Sequence, residues 1–236
     1  MLKDILQQKS PCLGFISESQ IFQSDAPALM KHIQAEYCYF LNSEDLYDPE
    51  IAMVKNRTAG GTLLLWRKCL DPYVTIHPVL TTAFTPLVLK IPGVQISIHI
   101  VIYLPTHGKD AGFVSELADL RLCIEELTEL YPGCLIFIRG DSNVNKKNVC
   151  RVALLDQLQN DFSLKRVPIP HNTYHHFVGE GKFDSDIDVL LHSDATNITE
   201  EVVEIICKSE NPLVLSHHDV ILSCVHLLDS PIPERK

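Results

Sequence analysis

Between Val94 and Ile138 the chain changes its hydrophobic period from that of a strand to that of a helix and back, which restricts it to a fold that mixes sheets with helices. Ile96, Ile98, Ile100 and Ile102 alternate with Ser97, His99 and Val101, the period of a half-buried strand. Phe113, Leu117, Leu120, Ile124, Leu127 and Tyr131 then advance by steps of four and three, one face of a helix. Cys134–Ile138 is again a compact apolar run suited to a buried strand.

The rest of the chain is read in the same way. Leu2–Gln8 predicts a short helix and Cys12–Ser17 a buried strand. Ser24-Asp25 predicts the cap of a helix reaching about Ala35, and Tyr37–Leu41 the next strand. Residues 42–58 are polar and read as a surface loop. Gly61–Trp66, Val74–Val79, Thr85–Ile91 and Val94–Tyr103 follow as strands divided by Asp71-Pro72, Pro78 and Pro92-Gly93. Val149–Leu158 predicts a second amphipathic helix. Leu164–Val167, Thr173–Phe177, Ile187–Leu191, Val202–Cys207 and Val220–Val225 predict further short strands. Strands outnumber helices too heavily for βαβ winding, so the expectation is two packed sheets covered by helices. No repeat or linker divides the 236 residues, and one domain is the simplest partition.

Composition narrows the function. The net charge of −10 argues against a protein that holds nucleic acid by diffuse basic surface, so any such function requires a local basic patch or a bound cation. The longest apolar run is too short to span a bilayer, and the N-terminus has no secretory pattern, so an intracellular protein without a membrane segment is expected. The eight cysteines are scattered without metal-ligand spacing and read mostly as buried small hydrophobes in a reducing compartment.

Several polar residues stand at strand ends. Ile138-Arg-Gly-Asp-Ser-Asn143 leaves a buried strand with a carboxylate and an amide side by side. There Asp141 could take a proton from water or hold a cation, and Asn143 could donate to a phosphate oxygen or to the nucleophile; as a bare tripeptide it is also an ordinary turn. Glu18 ends an earlier strand and suits a hard cation. Tyr103 ends the long alternating strand with a phenol. Asp188 lies within an apolar strand, where a carboxylate requires a partner, and His218 in Leu215-Ser-His-His218 offers one that would be oriented by it. Lys146, Lys147 and Arg151 follow the Asp141–Asn143 turn and suit a polyanion, and with Arg139 they are expected to ring the cleft.

In order, Glu18, Gly60-Gly61-Thr62, Tyr103-x-Pro105, Gly140-Asp-x-Asn143, Thr173-Tyr174, Ile187-Asp188 and Ser216-x-His218 resemble the endonuclease/exonuclease/phosphatase superfamily. Within it the chain is most similar to the AP-endonuclease-like domain of LINE-type (non-LTR) retrotransposons, over about residues 2 to 226. The resemblance implies a four-layered α/β sandwich, two mainly antiparallel sheets flanked by helices. It implies Mg²⁺, with Mn²⁺ as the alternative, held by Glu18 and Asp141. Asp141 would activate the attacking water and Asn143 would help orient it. Tyr103 and Thr173 would contact phosphate, with Lys146, Lys147 and Arg151 along the DNA, and His218, held by Asp188, would stabilise the phosphoryl charge. The implied activity is DNA nicking in the nucleus or cytoplasm, with a reverse-transcriptase domain in the parent polyprotein. Relatives of this fold that act on RNA or phospholipid, and a catalytically dead binding module, are the alternatives. Two departures stand out. The family's first strand, with its asparagine, has no counterpart, so a domain truncated at its N-terminus is expected, with residues 227–236 as a tail. The Ser-Asp-His motif reads Ser216-His217-His218, which puts an imidazole where an anion would stand beside the metal.

Overall fold

The computed structural model describes residues 2–50, 60–106, 108–170, 172–178, 181–185, 187–195, 198–206 and 220–227. They fall into two compact units, Met1–Cys134 with Ile138–Asn143, and Leu135–Phe137 with Val144–Lys236.

In the first unit, helix α1 (Leu2–Lys9) leads to strand β1 (Leu13–Ser17), α2 (Ala26–Met30), β2 (Tyr37–Asn42), the short α3 (Glu44–Tyr47) and β3 (Thr62–Arg67). These strands form an antiparallel sheet in the order β1-β3-β2, whose registers bring Ser17 and Asn42 to either side of Thr62. β3 reads Thr-Leu-Leu-Leu-Trp-Arg because both of its faces are covered. Leu63 and Leu65 pack with Leu6, Ala26, Met30 and Ile33 of the α1–α2 layer. Leu64 and Trp66 face the other way, onto Leu87 and Val101 of a second sheet. That second sheet runs β4 (Val74–Ile76), β5 (Phe84–Leu89), β6 (Ser97–Tyr103) and β7 (Leu135–Asp141). The 21-residue helix α4 (Asp110–Leu130) buries Phe113, Leu117, Leu120, Cys123, Ile124 and Leu127. It is tied to this sheet's connections by Glu116 to Thr81 Oγ1 at 2.6 Å and Glu126 to His77 at 3.6 Å. Helix, sheet, sheet and helix thus make the expected α/β sandwich.

The second unit takes up the first three residues of β7 and continues with α5 (Val149–Asp161), β8 (Leu164–Arg166), β9 (Tyr174–Val178), β10 (Gly181–Ser185), β11 (Asp188–Ser193), β12 (Ile198–Ile206) and β13 (Val220–Leu227). Its strands run β7-β11-β8, with β9–β10 and β12–β13 as antiparallel pairs. Leu135 and Phe137 pack with Ala195 and Val225.

Three expectations change. The helix after Asp25 stops at Met30, because the Met30 carbonyl takes the N–H groups of both Ile33 and Gln34 and tightens the chain into turns. β4 is three residues long and stops before Pro78. The cysteines are mostly not buried: of the six described free thiols, Cys12, Cys69 and Cys150 are exposed, Cys38 and Cys134 are half-buried, and only Cys123 is buried, where desolvation pushes its thiol up to about 12. Among the described residues no helix is long and apolar enough to cross a membrane.

Candidate functional site

β6 and β7 reach the same edge of the first unit, and a glycine sets how closely. Gly140 has φ +126°, and a Cβ there would stand 2.3 Å from the Ile102 carbonyl oxygen, so the two backbones touch where only glycine fits. One residue on, Leu104 N–H donates to the Asp141 carbonyl at 3.0 Å. The Asp141 side chain is buried. It accepts the Asn143 backbone N–H at 2.7 Å on Oδ1 and the Asn143 amide at 3.0 Å on Oδ2. The same amide donates to the Leu104 carbonyl at 2.7 Å. Asn143 has φ 50°, a left-handed conformation that asparagine tolerates better than most residues.

Glu18 and Tyr103 join this edge through the end of β3. After β1 the chain turns through two left-handed residues, Glu18 and Gln20. Ser19 and Gln20 then donate their N–H groups to Gly61 and Gly60, each at 3.0 Å. Gln20 Nε2 donates to Glu18 Oε1 at 2.8 Å. A Cβ on Gly60 would stand 2.8 Å from the Tyr103 ring, so the phenol lies on the glycine backbone. Contacts therefore run from Glu18 through Gln20, Gly60, Tyr103 and Leu104 to Asn143 and Asp141. Glu18, Tyr103, Asp141 and Asn143, up to 125 positions apart in sequence, share one edge.

Behind that edge lies a polar brace that sequence reasoning missed. Asn42, wholly buried, donates to the carbonyls of Thr81 at 2.8 Å and Phe84 at 3.1 Å and to Thr85 Oγ1 at 2.9 Å. Its Oδ1 accepts the Tyr47 hydroxyl at 2.9 Å, and Thr62 and Thr85 share a hydroxyl contact of 2.6 Å across the two sheets. The sequence signal was slight: single polar residues at the ends of apolar runs.

Two expected surface cations are buried. Arg139 was expected at the rim of a cleft, but it turns inward. Its guanidinium lies 5.1 Å over the Phe15 ring and donates to His99 Nδ1 at 3.0 Å. Since arginine only donates, Nδ1 is the acceptor, and Nε2 carries the hydrogen toward Ser97 Oγ at 2.9 Å. Burial first, and the Arg139 charge second, hold His99 well below the usual imidazole range. Arg151, in the second unit, is 2% exposed, so the surface part of the expected basic patch reduces to Lys146 and Lys147.

In the second unit Thr173 Oγ1 donates to Asp188 Oδ2, both residues being buried. The one hydroxyl hydrogen of Thr173 is thereby given to a carboxylate. Asn145 receives the Lys147 N–H at 2.9 Å and donates to Ser185 at 3.0 Å, which fixes the lysine turn. His217 and His218 lie outside the described residues.

Among the described residues no group of three or more His, Cys, Asp or Glu gathers as a ready-made metal cage. Glu18 and Asp141 offer hard oxygen donors at one edge, which is the donor set Mg²⁺ takes, since it binds through one or two carboxylates and keeps several waters.

No protein-family model and no curated protein matches the chain. Solved structures do. The chain is similar to the endonuclease domain of TRAS1, a telomere-specific non-LTR retrotransposon, with a TM-score of 0.64 and 12% identity over 98% of this chain and 91% of that one. A 3′ phosphatase, NExo, from Neisseria bound to a product DNA hairpin matches with a TM-score of 0.66 and 12% identity over 97% and 93%. An endonuclease/exonuclease/phosphatase family protein from Leptotrichia buccalis matches with a TM-score of 0.63 and 12% identity over 96% and 91%. The chain shares the fold of these structures.

Proposed function

We propose that this chain is a Mg²⁺-dependent phosphodiesterase that nicks DNA, in the manner of a LINE-type retrotransposon endonuclease. The observation that carries the reading is the Asp141–Asn143 pair, braced beside Tyr103 and Glu18 at one edge. A DNA hairpin in the Neisseria relative supports DNA over RNA or phospholipid.

Asp141 serves as general base toward the attacking water, a role that contributes typically about 10²–10⁴ in rate. Both amide hydrogens of Asn143 are committed, to Asp141 and to the Leu104 carbonyl. Asn143 therefore positions Asp141 and does not itself hold the water. The Tyr103 hydroxyl contacts a phosphate oxygen, and Lys146 and Lys147 track the strand. By the motif resemblance His218 would stabilise the phosphoryl charge with its ring oriented by Asp188, to which Thr173 donates. Glu18 and Asp141 would hold Mg²⁺, which would supply Lewis-acid polarisation of the phosphoryl group. The product is a 3′-hydroxyl that a reverse transcriptase of the same polyprotein extends inside the cell.

His217 favours a weakened enzyme, because the motif resemblance puts an imidazole where the family has an aspartate, and imidazole suits Mn²⁺ better than Mg²⁺. The test is relaxation of supercoiled plasmid with Mg²⁺, with Mn²⁺ and after EDTA. Weak nicking with Mg²⁺, stronger with Mn²⁺ and absent in EDTA, is expected. Cleavage that persists in EDTA would refute the reading.

A further inference from the structure

We propose that Leu80 is a wedge that enters the base stack of DNA held at the Glu18–Tyr103–Asp141 edge. The inference rests on the proposed DNA-nicking reading. Leu80 is 96% exposed, the most exposed of the large hydrophobic side chains among the described residues. Scattered exposed leucines are ordinary; what sets this one apart is how firmly its backbone is held while its side chain projects. The Tyr47 hydroxyl stands 3.1 Å from the Val79 carbonyl and 3.2 Å from the Thr81 carbonyl, on either side of Leu80, and shares its one hydrogen among these and Asn42 Oδ1. The Thr81 carbonyl also accepts from buried Asn42 at 2.8 Å. Thr81 Oγ1 accepts the Ala83 N–H at 3.0 Å and donates to Glu116 at 2.6 Å. α3, the end of β2 and α4 thus clamp the residues that flank Leu80.

The clamp also fixes where Leu80 stands. Ala83, three residues on, accepts the Tyr103 N–H at 2.6 Å, so the loop is fastened to the strand end that carries the phenol. Asn42, which holds Thr81, lies against Gly61, whose missing Cβ would meet both the Asn42 carbonyl and Ser19 Oγ at 3.0 Å. The loop that carries the exposed Leu80 is therefore fastened at the edge that holds Glu18 and Tyr103. In α3, Leu46 and Tyr47 are 44% and 42% exposed.

The chemistry that suits this feature is a stack of bases beside a scissile phosphate. An apolar side chain inserted at a base step unstacks it and kinks the duplex, at a cost of a few kcal/mol that wider contact offsets. A prong already ordered by its backbone loses little further entropy on insertion. Leu80 is followed in the chain by the polar Thr81 and Thr82.

The test uses the full chain and a DNA duplex carrying 2-aminopurine at successive positions, whose fluorescence rises on unstacking. In an Asp141→Ala background, which prevents cleavage, binding should raise the fluorescence at one or two adjacent positions. Adding Leu80→Ser should remove that signal and weaken binding about tenfold by fluorescence anisotropy, and Leu80→Met should restore both. Thermal unfolding checks that the exposed substitution leaves the fold intact. Binding and unstacking that survive Leu80→Ser would overturn the wedge and leave the nuclease reading standing. Leu80-dependent unstacking without Mg²⁺-dependent nicking by the unmodified chain would keep the wedge and remove the nuclease. Failure of the Asp141→Ala chain to bind DNA at all would overturn both. Leu80-dependent association with phosphatidylcholine vesicles, with DNA binding unaffected, would assign the side chain to lipid and overturn the wedge.

Discussion

Asn143 closes on Asp141 from two directions, its backbone N–H reaching Oδ1 at 2.7 Å and its side-chain amide reaching Oδ2 at 3.0 Å. Both carboxylate oxygens are thereby fixed by one residue, which the Leu104 carbonyl holds in turn at 2.7 Å. A catalytic carboxylate gains from such a hold, because misplacement by about 1 Å costs on the order of a hundredfold in rate.

Asn143→Ala is therefore expected to lower kcat by about a hundredfold with little change in KM, the signature of a positioning residue. Leaving the Leu104 carbonyl without its donor should cost about 1–3 kcal/mol of stability. Steady-state nicking kinetics and urea unfolding measure the two effects separately. An unchanged kcat would remove Asn143 from the mechanism.

Gly140→Ala should cost on the order of 3–5 kcal/mol, since its Cβ would meet the Ile102 carbonyl at 2.3 Å and neither backbone can yield. Gly93→Ala is the control. Gly93 also has a left-handed backbone, φ +79°, but nothing within 4 Å, so only about 1–2 kcal/mol of strain is expected. Equal losses from the two substitutions would show that β6 and β7 are not in backbone contact.

His99 predicts a pH dependence of stability. Its folded pKa is held below the unfolded value of about 6.5, by burial and then by Arg139. Its neutral-form stability is complete above that value and is lost as pH falls below it, while the unfolded chain takes the proton. The slope from this group reaches at most about 1.4 kcal/mol per pH unit. His99→Gln, which keeps an acceptor for Arg139, should flatten that part of the curve in urea titrations between neutral and mildly acidic pH. A curve identical to that of the unmodified chain would mean that His99 is not buried as described.

DNA binding should weaken with salt, but less steeply than four cations would give, because Arg139 and Arg151 are buried. Each phosphate neutralised contributes a slope of about −0.9 in log K against log salt. Replacing Lys146 and Lys147 together with alanine should lower the slope by roughly twice that amount. A slope unaffected by the pair would place the DNA elsewhere.

The sandwich was legible because period is a local property of sequence. The Ile98, Ile100 and Ile102 alternation and the Phe113-to-Leu127 stripe each name a buried face, and both are buried; the opposite face of β6, with His99 and Val101, is buried as well, so the strand is not the half-buried one that the alternation implied. The glycines flanking the edge were legible as motif residues, whereas their reason, contact with Ile102 and Tyr103, was not. Arg139 misled because charge reads as surface. Its acceptor and its aromatic partner come from β6 and β1, dozens of positions away, and no local pattern announces them. Asn42 and Gln20 were invisible for the same reason: what each holds is a backbone or carboxylate that only folding brings near.

The most direct test of Asp141 as the base of a nuclease weakened at His217 is Mg²⁺-dependent nicking of supercoiled plasmid by four proteins: the unmodified chain, His217→Asp, Asp141→Ala and the double variant. The account predicts weak nicking by the unmodified chain and an increase of at least about tenfold in His217→Asp, roughly 1.4 kcal/mol of barrier. Nicking should be absent whenever Asp141 is replaced. Nicking that survives Asp141→Ala, or its absence from both the unmodified chain and His217→Asp with the fold confirmed by circular dichroism, would contradict it.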